Sequence, residues 1–135
     1  MENKDFYKEY MDKFLEENSK VNLISKNDEK YLWEKHVCDS LAIDKFFETY
    51  GFCNTLLDIG TGGGFPAVPV ALTYPKIQVT ALDSIAKKIR AIQSIKDSLH
   101  IKNLNPVCIR VENFDDKFDV VTSRAVSSLK NICAY

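Results

Sequence analysis

The stretch Leu56 to Pro66, LLDIGTGGGFP, constrains the fold more than any other: a short apolar run breaks into four glycines within five residues, Gly60 to Gly64. An apolar run of this length, bounded by glycine, reads as a buried strand over Thr55 to Ile59. Glycines directly after a strand let the backbone bend sharply, and let another molecule approach with no Cβ in the way. The pattern then alternates. An apolar helix from about Pro66 to Thr73 has proline at a first turn, where its missing N–H is not needed. Pro75 closes that unit, and Gln78 to Leu82 follows as a second strand ending at Asp83-Ser84. Ile85, Ile89, Ile92, Ile95 and Leu99 mark an amphipathic helix with Lys87, Lys88 and Arg90 outside. Pro106 to Val111 alternates as a third strand, and Phe118 to Thr122 reads as a fourth. Strands and helices in this order specify an α/β fold with a parallel, doubly wound sheet.

The first fifty residues carry no strand signal. Phe6, Tyr10 and Phe14 recur every four residues beside Tyr7, Met11 and Leu15, which predicts a helix stopped by Asn18-Ser19-Lys20. Asn27-Asp28 is a plausible cap for a second helix bearing Leu32, Trp33, Val37 and Leu41, extended by Phe46, Phe47 and Tyr50 to Gly51. The expectation is a single domain over 1–135, with a helical cap over 1–50 on an α/β core over 51–135. A chain of 135 residues with 45% hydrophobic content can fill one such core. The formal net charge of -1 excludes a broadly basic nucleic-acid footprint, though a local patch fits within a neutral total. Cys38, Cys53, Cys108 and Cys133 form no C-x-x-C pair, and His36 and His100 are the two histidines. Reduced thiols and no metal site are therefore expected. The charged first residues contain no apolar signal core, and no run approaches membrane-spanning length, so the expected location is the cytoplasm.

In a doubly wound sheet, ligands sit in the crevice at the carboxyl ends of the strands. The glycine loop, Asp83 at the end of the second strand and Glu112 after the third should converge there. Two cofactors fit the loop. Gly62-x-Gly64-x-x-Ala67 matches a dinucleotide template, with Asp83 near the position of a ribose-binding acid. Against this, Phe65-Pro66 fills the helix start that a pyrophosphate would want open. Asp58, two residues before Gly60, gives D-x-G-x-G-x-G, which resembles the motif of class I S-adenosylmethionine-dependent methyltransferases. In those enzymes the acid orients the loop against the methionine part, and an acid after strand three contacts adenine. Asp83 takes the ribose hydroxyls in either case. It also reads as a cap for the helix at Ile85, and Glu112 as a solvated strand-end acid.

A larger set of motifs is more specific. Asn22-Leu23, Trp33-Glu34-Lys35-His36-Val37-Cys38-Asp39-Ser40-Leu41, LLDIGTGGGFPAVPVA, Leu82-Asp83-Ser84 with Lys87-Lys88-Ile89-Arg90, Arg110-Val111-Glu112-Asn113-Phe114 and Thr122-Ser123-Arg124-Ala125 occur in order. Together they resemble the glucose-inhibited division protein B family (GidB, also RsmG), which methylates N7 of a guanine in bacterial small-subunit (16S) ribosomal RNA. The resemblance runs from about residue 22 to residue 129. It implies a Rossmann-like class I methyltransferase fold, S-adenosylmethionine as cofactor, and the small ribosomal subunit as partner. It also implies cofactor contacts from Gly60, Phe65, Val111, Glu112 and Arg124, beside Asp58, Gly62, Gly64 and the ribose partner Asp83. Ala67 stands where many members carry glycine.

The implied chemistry needs few catalytic groups. Guanine N7 carries a lone pair and no proton, so alignment with the sulfonium methyl and exclusion of water suffice; positioning supplies several kcal/mol of such a barrier. Arg124, at the mouth of the fourth strand, is the expected residue for holding cofactor and guanine together, as guanidinium stacks on bases or forks to phosphates. His36 and Asp39 share a helix face and are expected to be a buried pair that fixes the cap. Lys87, Lys88 and Arg90 are either a phosphate-binding face or a solvated one. Family members continue beyond this length in the sheet order 3-2-1-4-5-7-6. The sequence thus reads as a truncated member whose later strands are missing. Phe118 to Thr122 would then be an open edge suited to self-association, and a non-catalytic cofactor-binding fragment is the alternative function.

Overall fold

The computed structural model describes residues 4–123 and 133–134. A 3-10 turn, Lys4–Tyr7, runs into helix α1, Lys8–Asn18, which buries Tyr10 and Phe14. The expected stop at Asn18 has a specific cause. Its Oδ1 accepts from the backbone N–H groups of Leu23 (2.8 Å) and Ile24 (2.9 Å), while its Nδ2 donates to Glu29 Oε2 at 2.7 Å. One side chain therefore folds the chain back on itself.

The second expected helix is not one helix. Ser25, rather than Asn27-Asp28, supplies the cap, its Oγ accepting from the N–H of Asp28 at 3.2 Å. The chain then passes through a 3-10 turn over Lys26–Tyr31, a π-helical turn over Leu32–Val37 and the short α2, Cys38–Ser40. Helix α3, Ile43–Tyr50, follows and ends at Gly51, whose φ is +85°. The π turn brings residues five apart onto one face. Leu32 and Val37 are such a pair, and both are buried.

The sheet comprises β1 (Thr55–Ile59), β2 (Gln78–Asp83), β3 (Leu104–Cys108), β4 (Val120–Ser123) and β5 (Cys133–Ala134). Among the described residues its order is β3-β2-β1-β4-β5, with the first four strands parallel. Helices α4, Ala67–Thr73, and α5, Ala86–Leu99, make the crossovers between the first three strands. α1 packs on α5, where Ser94 Oγ donates to the buried Glu17 at 2.9 Å. A second tie joins Tyr7 to α4, its hydroxyl 2.8 Å from Thr73 Oγ1.

Two strand expectations change. β3 lies earlier than Pro106 to Val111, because its register with β2 runs from Val79 opposite Leu104 to Asp83 opposite Cys108. Its start is held by Asn103, whose Nδ2 reaches the carbonyls of Ala71 (2.9 Å), Tyr74 (3.1 Å) and Ile77 (2.8 Å). Nor is β4 an open edge: β5 pairs antiparallel with it, Ala134 opposite Val120 and Cys133 opposite Val121. The ladder that self-association through β4 would have used is occupied at those two residues. On its inner side β4 is pinned to β1. Asp119 Oδ2 accepts from the N–H groups of Asn54 (2.8 Å) and Thr55 (3.2 Å), and the Asp119 N–H donates to Thr55 Oγ1 at 2.8 Å. Among the described residues no helix is long and apolar enough to cross a membrane.

Candidate functional site

The glycine loop begins by continuing the sheet. Thr61 N–H donates to Leu82 O at 2.9 Å, so the chain stays on β2 for one step beyond β1. It then turns. Gly62 and Gly64 adopt φ of +57° and +94°, a left-handed region that a side chain makes costly. At Gly64 space is decisive as well, since a Cβ there would lie 2.8 Å from Val68 Cγ2. Gly64 N–H donates to Thr61 O (2.8 Å) and Val68 N–H to Gly64 O (2.7 Å), which leads the turn directly into α4.

Two carboxylates organise this loop. Asp58 is wholly buried in β1, and accepts from Thr61 Oγ1 at 2.7 Å on one oxygen and from Thr122 Oγ1 at 2.9 Å on the other. Asp83, half-buried at the end of β2, accepts from Gly62 N–H through Oδ2 and from Ile85 N–H through Oδ1, both at 2.9 Å. Asp83 is thus both a tie for the loop and the turn-former ahead of α5, so its two sequence readings are not exclusive. A carboxylate oxygen has two acceptor sites. Each oxygen of Asp83 keeps acceptor capacity for a hydroxyl from the cleft.

A cavity of about 190 Å³ opens at these strand ends, lined by Ile59, Gly60, Leu82, Asp83, Ser84, Ile109, Arg110, Val111 and Glu112. Of the residues expected from sequence, Gly60, Asp83, Val111 and Glu112 converge on it. Asp58, Gly62 and Gly64 shape the loop behind. Val111 is 44% exposed and, with Glu112, sits on a 3-10 turn over Val111–Asn113, presenting an apolar surface beside a carboxylate. Ile59, Ser84, Ile109 and Arg110 also line the cavity but were not expected. Placing β3 too late hid the last two, since a strand ending at Cys108 releases Ile109 and Arg110 into the crevice. A larger cavity, about 380 Å³, is lined by Ala71, Gln78, Lys102 and Asn103 among others. It lies at the amino ends of the strands, where such sheets do not bind ligands.

Phe65 is placed differently from its expected neighbours. Its ring is buried, stacked on His36 (centroids 4.9 Å apart, 28° between planes) and tilted against Phe14 at 5.2 Å. It faces the helical cap, so only its backbone is left for the cleft. His36 Nε2 lies 3.6 Å from Asp28 Oδ2. Asp39 is exposed and His36 half-buried, so the two are not the buried pair expected, and the buried partner of the His36 ring is Phe65. Phe65, Pro66 and Ala67 are all buried, which leaves the start of α4 closed to a pyrophosphate. Arg124 lies outside the described residues. Among the described residues no group of three or more His, Cys, Asp or Glu side chains could hold a metal ion.

The fold has clear counterparts among solved structures. The chain is similar to the plantazolicin methyltransferase BamL in complex with a triazolic desmethylPZN analog and SAH, with a TM-score of 0.56 and 21% identity over 89% of this chain and 48% of that one. It is also similar to coclaurine N-methyltransferase bound to N-methylheliamine and SAH, with a TM-score of 0.54 and 18% identity over 63% of this chain and 26% of that one. The architecture is therefore the Rossmann-like fold of class I S-adenosylmethionine-dependent methyltransferases. Within that class, the family model of GidB, rRNA small subunit methyltransferase G, matches residues 3–135, and the chain belongs to this family. It is 39% identical over 118 residues to ribosomal RNA small subunit methyltransferase G of Flavobacterium psychrophilum, covering 87% of this chain and 56% of that protein. It is 42% identical over 124 residues to the protein of the same name from Francisella philomiragia, covering 90% and 57%. The chain thus spans somewhat more than half the length of these relatives.

Proposed function

We propose that this chain carries the S-adenosylmethionine-binding part of a methyltransferase acting on N7 of a guanine in small-subunit ribosomal RNA, in the cytoplasm of a bacterium. The observation that carries the reading is the convergence of Gly60, Asp83, Val111 and Glu112 on one cleft at the strand ends, in a chain of the GidB family. The residues present fit such a cofactor. Asp83 has acceptor capacity for two adjacent hydroxyls, Val111 offers an apolar face to a planar base, and Glu112 is positioned to accept from an exocyclic amine. Gly60 and Gly62 keep the loop free of side chains where the methionine portion would pass, and Asp58 holds that loop in shape. The cofactor, when bound, supplies an electrophilic methyl on a positively charged sulfur.

This chain's own residues then have a limited task. Guanine N7 is nucleophilic as it stands, so no side chain need take a proton from it. Arg124 is proposed to position the base, by stacking on it or by forking to a flanking phosphate. The cap closes the rear of the loop through Phe65.

Calorimetry with S-adenosylmethionine, S-adenosylhomocysteine and NAD tests the reading. The first two bind and NAD does not; replacing Asp83 by alanine weakens binding by about ten- to a hundredfold, the size of a lost charge-assisted hydrogen bond or two. Tighter binding of NAD would overturn the assignment in favour of a dinucleotide enzyme. Methylation of small-subunit RNA by Arg124→Ala at the wild-type rate would remove Arg124 from its role.

A further inference from the structure

We infer that Thr122 is a positioning residue which, through Asp58, locks the glycine loop to strand β4. The inference rests on the cofactor reading above but concerns a residue that neither the loop motif nor the cleft includes. A carboxylate buried as completely as Asp58 is costly unless its oxygens are hydrogen-bonded. Among the described residues a hydroxyl donates to each oxygen, and these two hydroxyls come from different places. Thr61 belongs to the loop itself; Thr122 sits on β4, directly opposite Asp58 in the parallel register. The three side chains form a continuous bridge from the loop, through β1, to β4. It runs alongside the backbone ladder and is separate from it.

Packing alone does not account for a hydroxyl at this position. Residues two apart on a strand share a face, and Val120, two residues earlier, is buried on that face as an aliphatic side chain. Valine has nearly the shape of threonine, so an apolar core would accept it at residue 122 as well. The hydroxyl of Thr122, 2% exposed, is spent on the carboxylate at 2.9 Å, with Leu57 O more distant at 3.5 Å. The bridge ends two residues before Arg124. Its consequence is that the loop holding the cofactor and the strand leading to the substrate side keep one fixed relation.

The test is calorimetry with S-adenosylhomocysteine on the whole chain, for wild type, Thr122→Val, Thr122→Ser and Thr61→Val, each first checked for cooperative melting. Thr122→Val should bind about tenfold more weakly, as expected for a lost hydrogen bond to a charged group. Thr122→Ser, which keeps the hydroxyl, should return to within about threefold of wild type. The Thr61→Val and Thr122→Val effects should not multiply in the double variant, because both act through Asp58. Wild-type affinity in Thr122→Val overturns the inference, and so does a serine variant as weak as the valine one. Where Thr122→Val does not fold, Thr122→Ala removes the same hydroxyl and is read the same way. Failure of the wild-type chain to bind S-adenosylhomocysteine at all would instead bring down the cofactor reading, and this inference with it.

Discussion

The glycine loop and the helical cap face each other across Phe65, yet they are built on opposite principles. In the loop each bend has a local cause: three left-handed glycines, a threonine hydrogen-bonded to the acid before it, and Asp83 receiving the amide of Gly62. In the cap the backbone changes helical type twice between Lys26 and Ser40, and the reason lies elsewhere in the chain. Leu32 and Val37 must both reach the core, and His36 must lie flat on Phe65. A site with rigid local geometry is thus held from behind by a segment whose geometry is set by what it covers.

The sharpest way to break this relation is at its shared residue. Phe65→Ala removes a buried ring from between Phe14 and His36, and should cost about 3–5 kcal/mol in chemical denaturation. Hydrogen exchange should then rise across residues 26–50 more than in β1 and β2. Uniform loss of protection would mean that cap and core form one cooperative unit. Next come the loop glycines. Gly64→Ala combines positive φ with the 2.8 Å approach to Val68 and should cost about 3 kcal/mol. Gly62→Ala, with nothing nearer than Gly60 O at 4.0 Å, should cost only about 1 kcal/mol, the penalty of the left-handed backbone. Equal losses would show that space plays no part.

Alkaline titration probes the helical cap at Tyr10 and the approach to β1 at Cys53. Burial pushes the pKa of the Tyr10 hydroxyl in α1 well above its ordinary value, and burial, then Asp119, pushes the Cys53 thiol up to about 11. Both groups stay protonated in the fold at pH values where the unfolded chain already releases its protons. Stability should therefore be level below about pH 9 and fall as pH rises beyond it, first through Cys53 and then through Tyr10. Tyr10→Phe should abolish the later part of the fall. It also removes a buried hydroxyl that has no hydrogen-bond partner among the described residues, so neutral-pH stability should hold or rise by up to about 1 kcal/mol. The smallest effect is expected at Lys35, whose ammonium lies 3.3 Å from Asp28 on the outer side of the cap. Lys35→Ala should change the denaturation free energy by less than about 0.5 kcal/mol.

How much of this was legible in the sequence follows the same division. β1, α4, β2 and α5 were read within about a residue because each is bounded by glycine, proline or an Asp turn, which act locally. Gly60, Asp83 and Glu112 could be named because strand ends collect ligands in such sheets, and Asp58 because it stands two residues before the first glycine of the loop. The π turn could not be read, since periodicity assumes one helical type and only the core shows which of Leu32 and Val37 must converge. The displacement of β3 had a similar origin. Val107, Ile109 and Val111 alternate convincingly, but pairing with β2 from Val79 to Asp83 and the anchor at Asn103 set the register earlier. The side toward which Phe65 turns depended on two aromatics far upstream.

The clamp between Asp119 and the start of β1 has a consequence for how the sheet comes together. β1 meets β2 after a single crossover, whereas the contact of Asp119 with Thr55 closes a span of 64 residues. Contacts this distant in the chain form late in folding, because their loop must be closed before they reward it. A late strand arriving beside β1 meets a row of similar backbone groups and can dock one residue out of step, which would reverse every side chain it carries. The reciprocal bonds of Asp119 and Thr55 are available in one alignment only. They favour the register in which Thr122 lies beside Asp58 over one shifted by a residue.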